Sequence, residues 1–156
     1  MNRFFASTVF SLALAVIFNS VASAHCQVPC GIYDAQMRFE RMLEDEHTIS
    51  KAQIELGKLA GSTAAQDINQ AIRWVTTKEE HASNIQSIIA TYFMTQQIKT
   101  DDPAYGKKLM AAHKVMVMAM KAKQSADPAT AKALEDSIFD FYRAFEGKEP
   151  AFDHQH

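Results

Sequence analysis

Backbone breakers are scarce in this chain. Five glycines and four prolines punctuate 156 residues, and no stretch of useful length alternates apolar and polar residues at strand spacing. A turn-rich β fold and a disordered chain are both excluded, and helices are favoured, because 47% of the residues are hydrophobic. An excess of one charge is missing too. Sixteen basic residues face 18 acidic ones, which excludes a nucleic-acid footprint and an acidic tail. No apolar run reaches the roughly 20 residues that a permanent membrane span needs. Cys-x-x-Cys-His is absent, and with it the usual covalent haem attachment. Half of a di-metal carboxylate bundle is present as Glu44-x-x-His47. The second Glu-x-x-His is not: Lys78 precedes His81 by three, and Met110 precedes His113 by three. Glu44 and His47 are then surface residues.

Cysteine is the most informative scarcity. The chain has two, and both lie in His25-Cys26-Gln27-Val28-Pro29-Cys30-Gly31-Ile32-Tyr33. Residues 1–24 before them read as a signal peptide. Arg3 gives the positive start, Val9–Phe18 is an apolar run broken by Ser11, and Ala22-Ser23-Ala24 has the small-x-small pattern of a cleavage site. Cleavage makes His25 the first residue and removes one base and no acid, so the net charge moves from −2 to −3. The expectation is an exported protein, periplasmic or secreted, with no membrane contact after cleavage. It is cytoplasmic if the leader acts only as a pro-segment. Export also allows a Cys26–Cys30 disulfide, but a five-residue span at a chain end would constrain little.

Residues 34–150 read as four amphipathic helices with short links. The first runs from about Asp34 to Ala60, with Phe39, Met42, Ile49, Leu56 and Leu59 inward and Glu44-Asp45-Glu46 toward water. The second runs from about Thr63 to Lys99, with Ile68, Ile72, Val75, Ala82, Ile85, Ile89 and Tyr92 or Phe93 on one stripe; its length leaves room for a break. The third, about Pro103 to Gln124, puts Tyr105, Leu109, Ala112, Met116 and Met120 on one face. Its methionines are most simply gap-fillers of the core, with a methionine copper site as the sharper alternative. The fourth starts with Asp127 as cap and Pro128 in the first turn, buries Leu134, Ile138, Phe141 and Phe145, and stops at Gly147 and Pro150. Residues 151–156 form a frayed tail in which His154 and His156 offer at most weak metal scavenging. The fold class is all-α: an antiparallel four-helix bundle with an N-terminal metal-binding hook at residues 25–33.

The hook carries the chemistry. Thiolates are soft, electron-donating ligands, and imidazole suits several first-row metals. A Cys-x3-Cys spacing lets both sulfurs reach one ion. A free N-terminus adds the His25 α-amine and the Cys26 backbone nitrogen, which close five-membered chelates. Cys26 and Cys30 sulfurs complete an N2S2 set, and a square of that kind points to Ni(II) or Cu(II), not to tetrahedral zinc. The His25 side chain can reach an axial position. Thiolates and a deprotonated amide make trivalent nickel accessible, so the site is fit for redox work.

His-Cys-x-x-Pro-Cys-Gly-x-Tyr at a mature N-terminus resembles the nickel hook of the nickel-dependent superoxide dismutases. Thr77-Lys78-Glu79-Glu80-His81-Ala82, Tyr92-Phe93 and Asp127-Pro128-Ala129-Thr130 are similar to later landmarks of that family, so the likeness covers nearly all of His25–Gly147. It implies disproportionation of superoxide to dioxygen and hydrogen peroxide by Ni(II)/Ni(III) cycling, one nickel ion per subunit held by His25, Cys26 and Cys30, and a homohexamer. It implies that Tyr33 stands near the open face of the metal and that Glu40 holds the axial imidazole. His81 falls where other members have an arginine that supports this glutamate, and a histidine there would make the support sensitive to pH. The plainer alternatives are a packing role for Tyr33, a solvated Glu40 and a structural His81. Gln27 stands where some members have aspartate. The rival function with the same ligands is an exported nickel- or copper-binding carrier without turnover.

Overall fold

Residues 35–152 are described by a computed structural model, and their regular structure is entirely helical. Helix α1 spans Ala35–Leu59, α2 Ala65–Ile88, α3 Tyr105–Gln124 and α4 Pro128–Glu146. The links are short, and each helix packs along two neighbours: α1 on α2 and α4, α3 on α2 and α4. Short links between touching helices require antiparallel neighbours. The contacts agree. Phe39, near the start of α1, meets Phe93 beyond the end of α2 and Phe141 and Tyr142 near the end of α4.

Local chemistry sets the helix ends. Asp127 Oδ1 accepts a hydrogen bond from the Ala129 N–H at 2.9 Å, and Pro128, which has no N–H to leave unpaired, follows it. Gly147 closes α4 in the left-handed region at φ 71°, where a Cβ would be strained, and its N–H returns to the Arg143 carbonyl. Helix α3 ends differently. Its last carbonyls have no partners within the helix. Lys78 from α2 donates to the Ala122 carbonyl at 2.9 Å and to that of Lys123, while Gln53 from α1 donates to Ser125 O at 3.2 Å and to Thr130 Oγ1 at 2.8 Å. Two helices thus cap a third from inside the bundle.

Helix α2 does not break where its length allowed a break. It continues as a π-helical segment, Ile89–Gln97, in which the Ile98 N–H reaches back five residues to the Phe93 carbonyl at 2.8 Å. A wider turn holds more residues on the inner side. Tyr92 and Phe93 are therefore both buried, with their rings 5.0 Å apart edge to face, where helical spacing offered one or the other.

Several expectations of burial are corrected. Ile68, Ile72 and Val75 are exposed, at 47%, 61% and 43%. The reason is length. Lys78 marks where α3 ends against α2, so the part of α2 before it has no α3 beside it. No residue between Ile54 and Thr77 is buried, so the α1–α2 hairpin projects past the rest of the bundle. The acidic run was read as solvated, but Asp45 is fully buried and Glu46 is 3% exposed. Successive residues of a helix lie about 100° apart, so three in a row cannot all face water when two neighbouring helices flank α1. Asp45 turns to α2 and Glu46 to α4. On α3 the buried stripe is Ala112, Val115, Ala119 and Ala122, whose small side chains let the helices approach closely. Met116 and Met118 pack against the core as half-buried residues, whereas Met110 and Met120 are exposed. Beyond Pro150, Phe152 docks on Tyr142 at 4.9 Å and on Phe139 at 6.1 Å, so the expected fraying does not begin at 151.

Candidate metal centre

His25, Cys26, Cys30 and Tyr33 lie outside the described residues, as do the leader and the His154/His156 end. The first turns of α1 follow directly on the hook, and they are polar and basic on one side. Arg38 and Arg41 flank Glu40 in sequence. Both arginines line a cleft of about 340 Å³ with Asn84, Ser87, Ile88, Thr91 and Tyr92 from α2 and the π segment. The Arg38 guanidinium lies 5.2 Å from the centre of the Tyr92 ring, which fixes one wall of that cleft.

Glu40 is exposed, and its carboxylate is held from within the fold. Gln36, one turn earlier, donates from Nε2 to Glu40 Oε1 at 2.9 Å. The other end of the same amide accepts from the Tyr142 hydroxyl at 3.2 Å. Tyr142 is 2% exposed and sits in the aromatic core against Phe39, so the chain Tyr142–Gln36–Glu40 ties a surface carboxylate to that core. The Gln36–Glu40 pair follows from four-residue spacing on a helix. Tyr142 is a hundred residues away and no local pattern pointed to it.

His81 is partly buried on α2 and bonds Asp45, its Nδ1 lying 2.5 Å from Asp45 Oδ1. Arg41 approaches the same oxygen at 3.8 Å. The histidine expected to support Glu40 is therefore engaged by a different acid of α1, five residues further on. Asp45 Oδ2 has no hydrogen-bond partner among the described residues. Sequence reasoning missed Asp45 because it assigned the whole acidic run to solvent. Glu44, by contrast, is exposed and pairs with Arg41 at 2.9 Å, as a surface residue does.

The fold defines a class: a four-helix bundle that carries its chemistry-bearing segment in front of its first helix. The side-chain donors in that segment, two cysteine sulfurs and an imidazole, fit nickel by their softness and their nitrogen content. The family model of nickel-containing superoxide dismutase matches residues 20–149, and the chain belongs to that family. It is thus a superoxide dismutase, an oxidoreductase with a nickel cofactor, rather than a carrier without turnover. Comparison with curated proteins and with solved structures gave no significant match to either.

Proposed function

We propose that the mature enzyme begins at His25. Nickel would be held by the α-amine and imidazole of His25, the Cys26 backbone nitrogen and the thiolates of Cys26 and Cys30. The supporting observation is the span of the family match, which includes this segment together with the bundle behind it. Nickel held there would supply the one-electron redox chemistry, between its divalent and trivalent states, that turns two superoxide anions and two protons into dioxygen and hydrogen peroxide.

The remaining work belongs to the chain. The thiolates and the amide nitrogen donate electron density. Tyr33 restricts access at the open side, and its phenol donates a hydrogen bond to superoxide. Glu40 orients the His25 imidazole and is itself oriented through Gln36 by Tyr142. His81, held by Asp45, borders this arrangement as a positioning residue. Arg38 and Arg41 place positive charge in the adjoining cleft, which favours approach of an anion.

Adding one residue before His25 tests the ligand set, because it displaces both the α-amine and the imidazole. The expected result is loss of dismutase activity with the helical signal unchanged; retained activity overturns the N-terminal chelate. Glu40→Gln is expected to lower activity with nickel still bound.

Export and assembly complete the proposal. The leader directs the chain out of the cytoplasm, and N-terminal sequencing of the native protein together with its metal content tests this. Assembly into a homohexamer is supported by the projecting α1–α2 hairpin, where Ile54, Ile68, Ile72 and Val75 present apolar surface that this subunit leaves uncovered. Sedimentation of the mature protein distinguishes a hexamer from a monomer.

A further inference from the structure

Glu46, two residues past Glu44 and on the α4 side of α1, has an environment that the dismutase site does not explain. The residue as a whole is 3% exposed, and its carboxylate makes no hydrogen bond or ion pair with any of the described residues. Buried carboxylates are ordinarily paired, hydrogen-bonded or bound to metal. Its nearest polar company is unusual. One ligand-type atom each from Glu46, His47 and Glu135 lie within 4.8 Å of one another, which joins two consecutive residues of α1 to one of α4. His47 is exposed and Glu135 partly so, leaving the cluster open to solvent on one side.

We propose that Glu46, His47 and Glu135 form a second metal site, separate from the nickel hook, that takes a divalent transition ion such as zinc. Two carboxylate oxygens and one imidazole nitrogen are a three-donor set of the kind zinc accepts with a water in the fourth position. Donors around a tetrahedral zinc sit about 3.4 Å apart, so side-chain rotations of a fraction of an ångström to about one close the observed spacing. The separation from Glu40 is built into the helix. Glu46 lies six residues, about 9 Å of helix, beyond Glu40, and it turns to α4 where Asp45 turns to α2.

The electrostatics point the same way. Burial, with the neighbouring Glu135 charge adding to it, pushes the Glu46 carboxyl from 4.5 up to about 8. Lys132 offsets this in part, but it also pairs with Glu135 at 3.2 Å and with Asp136. A divalent ion in the cluster would supply the positive charge that Lys132 alone does not. It would also clamp α1 to α4 between the two polar contacts that already join these helices, Tyr142 to Gln36 and Gln53 to Thr130.

The test uses nickel-loaded mature enzyme, so that the hook is filled, titrated with zinc chloride by calorimetry and checked by metal analysis after dialysis. The expected result is one zinc per subunit in addition to nickel. Glu46→Gln, Glu135→Gln and His47→Gln should each weaken zinc at least tenfold with the nickel content unchanged. His47 is exposed, so its variant carries the test even where a change at the buried Glu46 impairs folding. Replacing His154 and His156 with Asn should leave zinc in place. Absence of zinc beyond the hook, equal affinity in native and His47→Gln protein, or loss of zinc with the two tail histidines would each overturn the proposal.

Discussion

Lys78→Met removes the ammonium that closes α3 and replaces it with an uncharged side chain of similar length. Lys78 is 3% exposed, and its ammonium donates to the carbonyls of Ala122 and Lys123. A hydrogen bond to a charged group is worth about 1.5–3 kcal/mol net, and a cation at a helix C-terminus gains about 1 kcal/mol more from the aligned peptide dipoles. Against this stands the cost of holding a charge out of water, which the substitution relieves. Burial is the first cause that holds the Lys78 ammonium below its ordinary pKa, with Glu79 opposing. The balance is a loss of about 2–3 kcal/mol, because the Lys123 carbonyl loses the ammonium and the Ala122 carbonyl keeps only the 3.4 Å contact from Gln53 Nε2. At about 3–5 °C per kcal/mol for a domain of this size, the melting temperature should fall by about 6–15 °C. Scanning calorimetry at neutral pH measures it directly. The pH dependence is a second, independent readout. With its pKa lowered on folding, Lys78 binds fewer protons in the native than in the unfolded protein between the lowered value and 10.5. Its contribution to stability therefore rises with pH across that window, and the gap between native protein and variant should widen toward pH 10. An unchanged or raised melting temperature in the variant refutes the view that α3 is capped by this lysine.

Other consequences are more direct. Phe39→Ala should cost about 3–5 kcal/mol, since Phe39 is fully buried and touches the rings of Phe93, Phe141 and Tyr142; a loss under about 1 kcal/mol in urea denaturation would show that the cluster is not the keystone of the core. Tyr142→Phe removes the hydroxyl that holds Gln36, and with it the anchor of Glu40. It should cost about 1 kcal/mol of stability and lower dismutase turnover with nickel content unchanged; full turnover at a reduced melting temperature would leave Tyr142 with a packing role alone.

The sequence disclosed most where one residue type does one job. Asp127-Pro128 and Gly147 bound α4 because a cap, a missing N–H and a left-handed backbone are local requirements. Phe39, Met42 and Ile49 were legible from helical spacing. Spacing failed where the number of neighbours changed. Ile68, Ile72 and Val75 have the right period to face a core, but α3 stops short of them, and where α3 stops depends on contacts far away in the chain. It failed again in the acidic run, since charge density was taken as a measure of exposure. The burial of Asp45 and Glu46 follows from α1 being flanked on both sides, which no window on α1 contains. The π segment was foreshadowed by unusual helix length alone. The nickel-dependent family was legible from the donor types of residues 25–33, which need no tertiary structure to declare their chemistry, whereas the residues that steady Glu40 from behind were not.

The pairing of His81 separates two roles that the sequence placed on one pair of residues. Resemblance assigned His81 to Glu40, whereas the fold gives His81 to Asp45 and Glu40 to Gln36. A double-mutant cycle distinguishes these arrangements, because residues in contact couple by about 0.5–3 kcal/mol while separated ones add within about 0.5 kcal/mol. Asp45→Ala alone should be costly, since it strips a fully buried carboxylate from a histidine whose side chain is only 26% exposed. Once His81→Ala is present, much of that interaction is already gone, so the double variant should be more stable than the sum of the singles predicts. Glu40→Ala combined with His81→Ala should simply add. The same three sites read out in turnover. His81 acting through Asp45 makes the activity losses of Asp45→Ala and His81→Ala overlap, with Glu40→Ala lowering activity further in either background. Strong coupling between Glu40 and His81, with additivity between Asp45 and His81, would return the histidine to the role the family likeness gave it and would show that the α1–α2 contact rearranges when nickel is bound.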